Sequence, residues 1–241
     1  MTSLTGKKPI KKVSKMTIGK GFKDNIGRLA KTISKGKRNE DETRRWIIDV
    51  LKEGLGYTED DIETECTVLG KRADIVLMNG KQILAVIECK SANVQIKQTA
   101  INQAANYAIA LGTEWAIATN GQSWGLYHVE QGKNNSTEIV ELFSIELLDE
   151  DGISKDDISS LAMLTKKSFL SGETEDWFHN SRIIEPNRLY EAMLSPTVIS
   201  SLSKELLKQY KKDYGVIFDN GIDQEYLRAL VEIYLEHMKE L

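Results

Sequence analysis

The sequence predicts an α/β protein, with a mixed β-sheet of about five strands flanked by helices and an α-helical C-terminal region. Two observations predict the sheet. Short apolar and β-branched runs recur between residues 61 and 145, and Asn-Gly dipeptides separate two pairs of these runs. The third observation is that from residue 149 onward the apolar residues recur at helical spacing, which predicts the C-terminal helices.

Composition places the chain among soluble globular proteins, since 41% of its 241 residues are hydrophobic and 28% are charged. No apolar run is long enough to span a membrane, and no signal-peptide pattern follows the start. We therefore expect a cytoplasmic protein without a membrane partner. Cys66 and Cys89 fall in strand patterns and are expected to be reduced core residues. The three histidines have no zinc-ligand spacing.

Charge divides the chain unevenly around its net value of −4. Residues 1–39 hold twelve Lys or Arg and a single acid, Asp24, so they carry +11 and the remainder carries −15. A basic N-terminal arm of this kind favours binding to phosphates through counterion release. It is equally typical of a solubilising tail, or of one that neutralises the acidic body of another copy.

The first element after the arm is an amphipathic helix over 40–54, with an apolar stripe through Trp46, Ile47, Val50 and Leu51. A strand is expected over 61–69. A hairpin follows, with strands over 73–78 and 83–89 and a type I′ turn centred on Asn79-Gly80.

Three ionisable residues, Asp74, Glu88 and Lys90, interrupt this otherwise apolar hairpin. Asp74 lies at the entry of the first strand and Glu88 at the exit of the second, so the hairpin makes them neighbours. Glu88 and Lys90 are two apart and therefore share one face. Buried charges must be paired or must bind a metal, and two carboxylates close together suit a hard cation such as Mg2+. A buried ion-pair cluster is the alternative interpretation.

This motif, Ala73-Asp74 followed by Glu88-Cys89-Lys90, resembles that of the PD-(D/E)xK nuclease superfamily, with Ala73 in place of the proline. Residues 40–130 further resemble the N-terminal nuclease domain of type I restriction enzyme motor subunits. Five pieces in order carry that resemblance: Glu42-Thr43-Arg44 with Leu55-Gly56-Tyr57, Arg72 to Leu77, Ala85 to Lys90, Gln103 to Ala108, and Thr119-Asn120-Gly121 with Trp124 to Tyr127.

The resemblance implies a restriction-endonuclease-like fold and a Mg2+-dependent DNA endonuclease, in which Mn2+ can substitute. Asp74, Glu88 and the backbone carbonyl of Cys89 would bind the metal, and Lys90 would position the attacking water. Glu42 lies four residues before Trp46 and is therefore expected on the same inward face of the helix. According to the resemblance it would hold a metal-bound water or a second metal, although an acid at a helix start is also favoured by the helix dipole.

Gln103 and Tyr107, one turn apart on a helix expected over 96–111, would support the site or contact DNA according to the resemblance. Without the resemblance, the sequence pattern predicts a core position for Tyr107 and a surface position for Gln103. Strands over 115–120 and 122–129 follow, around a turn at Asn120-Gly121, and an edge strand over 138–145 completes the sheet.

The C-terminal region is expected to contain helices from Lys155 onward, and the most periodic spans 222–241 with Asp223 as its N-cap. Residues 173–180 look like an irregular connector. A helical appendage of this size covers a sheet or builds a dimer, so we expect a homo-oligomer. The predicted domains are therefore the arm (1–39), a nuclease-like domain (40–148) and a helical region (149–241).

No ATP-binding Gly-x4-Gly-Lys-Ser/Thr motif occurs in the chain, so cleavage would be independent of ATP unless a partner in a larger restriction or defence complex supplied a motor. A nuclease-derived DNA-binding or assembly protein that no longer cuts is the alternative function.

Overall fold

The computed structural model describes residues 39–239 except 69, 93, 133–135, 148–152, 184 and 218–219. The basic arm, apart from its last residue Asn39, lies outside the described residues. The described chain divides into two compact units, the first ending at Phe178 and the second beginning at His179. The division falls there because helices after residue 153 pack onto the core of the first unit. The domain boundaries expected at 39/40 and 148/149 stay predictions.

The first unit is built on one mixed six-stranded sheet in which the strands lie side by side in sequence order. The strands are β1 (Ile62–Val68), β2 (Lys71–Asn79), β3 (Gln82–Cys89), β4 (Trp115–Thr119), β5 (Ser123–Gln131) and β6 (Thr137–Glu146). Neighbouring strands are antiparallel except β3 and β4, which are parallel. The predicted mixed sheet and α/β class are therefore confirmed.

The β2–β3 turn lies one residue further along the chain than the sequence suggested. Asn79 pairs with Gln82, so Gly80 and Lys81 are the two central residues. Only Gly80 has a positive φ, of 62°. A positive φ at the first centre alone is the pattern of a type II′ turn, where glycine is preferred, and the prediction of a type I′ turn on Asn79-Gly80 was wrong.

The parallel pairing of β3 with β4 requires a crossover, which α-helix 98–111 provides. Small residues let this helix lie close to one face of the sheet, and its buried members include Ala100, Ala104, Ala105 and Ala108. It ends at Gly112, whose φ of 74° is the left-handed conformation of a helix C-cap.

Helix α1 (Glu40–Glu53) precedes the crossover helix in the chain, so the crossover helix (Gln98–Leu111) is α2. Helix α1 packs against the opposite face of the sheet. The predicted apolar stripe of α1 is buried against strand residues such as Ile87 and Ile117. Asn39 and Glu42 form a capping box at the start of α1, which satisfies two backbone donors. A short 3-10 helix, Glu59–Asp61, leads from α1 into β1.

Three further helices begin within the first unit: α3 (Lys155–Ala162), α4 (Lys166–Ser171) and α5 (Glu173–Ile183). The expectation that residues 173–180 form an irregular connector was wrong, since α5 spans them. Phe178 of α5 is buried in the core of the first unit. The sequence around Trp177 has few apolar residues at helical spacing, so it did not predict this helix.

The second unit contains α6 (Pro186–Met193), α7 (Pro196–Tyr214) and α8 (Gln224–Lys239). Asp223 accepts hydrogen bonds from the backbone N–H groups of Glu225 and Tyr226, which confirms it as the cap of α8. Large apolar side chains are exposed on these helices and on the segment between α7 and α8, namely Leu189, Val198, Leu206, Tyr210, Tyr214, Val216, Ile217, Tyr226, Leu230, Ile233 and Tyr234. Among the described helices, none combines the length and apolar character that crossing a bilayer requires.

A buried ion pair joins the start of β1 to α4. The Asp61 carboxylate accepts hydrogen bonds from Lys166 Nζ at 2.7 Å, and from the backbone and hydroxyl of Thr58. Burial alone would raise the pKa of Asp61, but the bonds from Lys166 and Thr58 outweigh it and lower that pKa. The pair therefore stabilises the fold above the ordinary pKa of an aspartate, and this contribution is lost as the pH falls through the lowered value.

We expect Asp61→Ala to lower the free energy of unfolding by about 2–3 kcal/mol at pH 7, because Lys166 loses its partner in a largely buried setting. Urea unfolding measures this. The matched control is exposed Asp60→Ala, which should stay within about 0.5 kcal/mol of the wild type. Equal effects of the two substitutions would contradict a stabilising role for the pair.

Candidate active site

The β2–β3 hairpin brings Asp74 and Glu88 side by side. Ile75 pairs with Ile87, and Asp74 and Glu88 are the next residues outward on the two strands. Asp74 Oδ2 accepts a hydrogen bond of 2.7 Å from the backbone N–H of Cys89. This bond fixes the Asp74 carboxylate against the end of β3, so the sequence correctly placed these two acids together.

Glu88 and Lys90 meet on one face of the chain, as their spacing of two predicted. Lys90 Nζ lies 2.6 Å from Glu88 Oε1. The Glu88 side chain is only 1% exposed, and within the described residues its other oxygen, Oε2, is buried without a hydrogen-bond partner. A buried carboxylate oxygen with unused lone pairs is costly unless something is bound there.

Burial raises the pKa of Glu88 to about 7, and the negative charges of Asp74 and Glu40 add to the increase, while the Lys90 ammonium opposes it. Burial works in the other direction on Lys90, whose charged form it disfavours. The hydrogen bond to Glu88 and the surrounding carboxylates outweigh that effect and raise the pKa of Lys90. Lys90 is therefore a cation at neutral pH, while burial brings the pKa of Glu88 close to neutrality.

Helix α1 contributes two groups that the sequence analysis missed, Glu40 and Arg44. Glu40 Oε1 lies 3.9 Å from Lys90 Nζ, and Arg44 Nη1 lies 3.8 Å from Asp74 Oδ1. Glu40 and Arg44 are four apart, and buried Ile47 and Leu51 continue the same line along the helix. That helical spacing was the available signal, because it places Glu40 on the inward-facing side of α1.

Glu42, in contrast, does not point inward as expected. It is exposed, and its carboxylate accepts a hydrogen bond from the backbone N–H of Asn39 in the capping box. The reasoning from Trp46, four residues later, failed because the first helical turn uses this acid to satisfy the N-cap. The interpretation of Glu42 as an acid at the helix start fits this position.

Gln103 and Tyr107 pair with each other on α2, with Gln103 Nε2 3.2 Å from the Tyr107 hydroxyl oxygen. Tyr107 is 4% exposed and belongs to the core on that side of the sheet. Both line a groove of about 690 Å³ whose other lining residues are Lys71, Thr99, Asn102, Asn106, Ile109, Ala110, Gln131 and Thr137. The groove shares no lining residue with the trio Asp74, Glu88 and Lys90.

Neighbouring hydrogen bonds hold the segment after β3 in place. The Lys90 N–H donates to the Thr119 carbonyl at 2.9 Å, which extends the parallel pairing. The buried Thr43 hydroxyl of α1 accepts from the Ala92 N–H at 3.1 Å, and Gln122 Nε2 donates to the Ala92 carbonyl. The loop is therefore tied to α1 on one side and to the β4–β5 turn on the other.

The residues present fit a divalent metal ion. Asp74 and Glu88 offer hard oxygen ligands at adjacent positions, and Glu88 Oε2 is unused by any described hydrogen-bond donor. Without an ion, the compensating positive charges are those of Lys90 and, at longer range, Arg44. Such an arrangement can bind a cation and place an ammonium beside it, which is what metal-assisted hydrolysis of a phosphate ester needs.

The mixed sheet, its flanking helices and the acid pair on a hairpin define a restriction-endonuclease-like α/β domain. Residues 39–142 match the family model described as "Type I restriction enzyme R protein N terminus (HSDR_N)". This segment is therefore similar to the N terminus of type I restriction enzyme R proteins, and the resemblance found in the sequence is confirmed for it.

One solved structure with a significant match is a fragment of a putative HsdR subunit of a type I restriction enzyme from Vibrio vulnificus YJ016. The two are 25% identical, with a TM-score of 0.34, and the match covers 43% of this chain and 23% of that one. The chain thus corresponds to about a quarter of that fragment. No curated protein matches significantly.

The raised pKa of Glu88 predicts a pH-dependent gain of stability in Glu88→Gln without metal. The free-energy cost of burying ionised Glu88 is absent below the ordinary glutamate pKa, grows between that pKa and the shifted pKa of about 7, and is fully present above it. We expect Glu88→Gln to raise the free energy of unfolding by on the order of 2 kcal/mol at pH 8, a gain that shrinks as the pH approaches 4.5. Urea unfolding in EDTA at both pH values measures it.

The control for this measurement is the exposed acid Glu138, because Glu138→Gln makes the same chemical change on a solvated strand. Glu138→Gln should change the free energy of unfolding only slightly at both pH values. A loss of stability in Glu88→Gln at pH 8 would show that the Lys90 ion pair outweighs the cost of burying the carboxylate.

Proposed function

We propose that this protein is a metal-dependent DNA endonuclease, a relative of the type I restriction enzyme nuclease domain, that uses Mg2+ and accepts Mn2+. The single observation that carries the proposal is the meeting of Asp74 and Glu88 beside Lys90, with Glu88 Oε2 buried and unused among the described groups. The family match over residues 39–142 supports restriction and nuclease function for the segment that contains all three residues.

In this proposal, Asp74, Glu88 and the backbone carbonyl of Cys89 hold the ion. The ion would polarise the phosphate and lower the pKa of water, which is the chemistry that a divalent metal supplies at such sites. Lys90 orients the attacking water and places positive charge near the phosphate. Its side chain is 26% exposed, so the ammonium reaches solvent while still contacting buried Glu88.

Glu40 takes the part that the sequence assigned to Glu42. Its carboxylate lies 3.9 Å from Lys90 Nζ, so it can accept a hydrogen bond from a water held between α1 and the hairpin. Gln103 and Tyr107 act at a distance from this site, as part of the groove along α2. We propose that this groove contacts the DNA, with the Gln103 amide as its polar, partly exposed group.

DNA binding by an acidic body requires positive charge from elsewhere, and the basic arm is the proposed source. A second copy is the proposed partner of the second unit, because α7 and α8 expose apolar and aromatic side chains. Action within a larger restriction or defence complex, in the cytoplasm, completes the proposal. In such a complex a partner would supply any ATP-driven motor.

A catalytically inactive DNA-binding or assembly protein is the second candidate. One observation favours it: Glu88 is already paired with Lys90, and Arg44 approaches Asp74, so the charges partly neutralise one another without an ion. Ion pairs of this kind reduce the negative charge that would attract Mg2+.

Cleavage of supercoiled plasmid separates the two candidates. We expect nicking in Mg2+ or Mn2+ but not in EDTA, and a loss of about 100-fold or more in Lys90→Ala, because water orientation and charge compensation both disappear. The matched control is Lys81→Ala, which removes an exposed lysine from the turn at the other end of β3. Gel shifts without cutting by any form would support the binding protein.

The oligomer is tested by light scattering of the full chain. We expect a dimer or larger species in the wild type and a shift towards monomer in Leu230→Glu/Tyr234→Glu, because two charges would interrupt an apolar face. Arg228→Glu, on another side of α8, serves as the control and should leave the mass unchanged. An unchanged mass in the double variant would exclude this face as the interface.

A further inference from the structure

We propose that the first unit holds a second metal site, for a divalent transition-metal ion of the zinc class, formed by Glu114, His128 and Glu175. One ligand atom from each of the three lies within 4.8 Å of the others. His128 pairs with Trp115 at the start of β4, whereas Glu88 lies beside Ala118 near the end of that strand. The two sites are therefore at opposite ends of β4, and this proposal does not depend on nuclease activity.

His128 is a buried imidazole packed among aromatic rings, and its two nitrogens form no hydrogen bonds with described residues. Its side chain is 3% exposed, and its ring stacks on Phe178 at 3.8 Å between centroids and meets the edge of Trp115 at 4.9 Å. Within the described chain, neither ring nitrogen makes a hydrogen bond. A carboxylate oxygen lies 3.3–3.4 Å from each nitrogen without forming a hydrogen bond to it. A buried imidazole fixed in this way costs free energy unless a ligand uses its nitrogens.

The distance from the ring to Glu114 fits two ligands of one ion better than a hydrogen bond. His128 Nε2 lies 3.4 Å from Glu114 Oε2. Zinc bonds to nitrogen and oxygen at tetrahedral angles place two such ligand atoms about 3.4 Å apart, whereas N–H···O hydrogen bonds span about 2.7–3.2 Å. Glu175, in the first turn of α5, supplies the third ligand.

Glu130 completes the arrangement from the other side of the ring, with its Oε1 3.3 Å from His128 Nδ1. Metal-binding histidines commonly present their second N–H to a carboxylate, which fixes the tautomer and leaves the first nitrogen free to bind. We therefore assign the proton to Nδ1 and the metal to Nε2. The alternative is a protonated imidazolium paired with Glu114 and Glu130 and no metal.

One imidazole and two carboxylates favour a transition metal over Mg2+, which prefers oxygen ligands alone. The two ligand carboxylates balance the charge of the ion, and water fills the fourth position. A cavity of about 490 Å³, lined by Glu114, Trp115 and Phe169 among others, lies on the Glu114 side of the cluster. Bound there, the ion would fasten the first turn of α5 to the sheet.

Zinc stoichiometry in the full chain tests the proposal, with Asp74→Asn/Glu88→Gln as the background so that the hairpin acids do not bind the probe. After dialysis against Zn2+ we expect one ion per chain, and at least tenfold weaker binding in Glu114→Gln and in Glu175→Gln. Neither of these side chains is buried, so both variants should fold. The control Glu138→Gln should bind zinc as its background does.

Two further measurements distinguish a metal site from an imidazolium. Zinc should raise Tm by several degrees in the background and not in Glu114→Gln, and Co2+ should give the visible absorption of a tetrahedral site. Zinc binding that both glutamine variants leave unchanged would overturn the proposal. So would the absence of bound zinc in the background protein, or His128 ring signals that Zn2+ leaves unchanged.

Discussion

The burial of one carboxylate, Glu88, is the constraint on which the site depends. An acid with 1% exposure at the end of an apolar strand is unfavourable as an anion, and its pKa of about 7 reflects that cost. Other charged groups surround this carboxylate: Lys90 pairs with one of its oxygens, and α1 places Glu40 near Lys90 and Arg44 near Asp74. In the proposed metal site, this acid would trade stability for ligand oxygens, as residues kept for function commonly do.

The rest of the first unit keeps this group of charges in fixed positions. The Asp74 carboxylate is held by the Cys89 N–H, and Thr43 and Gln122 hold the backbone two residues beyond Lys90. These supports come from the hairpin itself, from α1 and from the β4–β5 turn, so the side chains sit on rigid elements rather than on a free loop. A site that must place several charges within a few ångströms needs such support.

Sequence reasoning succeeded where the structure is decided locally. The hairpin pairing of Asp74 with Glu88 follows from strand alternation and a short turn, so it was predictable. The rotation of α1 about its axis was not predictable. The Glu42 carboxylate accepts the Asn39 N–H at the N-cap and is therefore turned outward, which leaves Glu40 facing Lys90. The surroundings of His128 were hidden for a different reason. Its neighbours come from a loop, two strands and α5, and no short motif records such a meeting.

The parallel pairing of β3 with β4 has a consequence for how the protein assembles. On each side of it lies an antiparallel meander of three consecutive strands, which short-range contacts can form early. The two meanders join only along this one seam within the described sheet, after the α2 crossover has closed. Glu88 and the Lys90 N–H bond to Thr119 lie on that seam. Asp74, Glu88 and Lys90 all belong to the first meander, so they can meet before the two halves join. What docking adds is the pairing of Glu88 with Ala118 and the bond from the Lys90 N–H to Thr119, which enclose this end of β3.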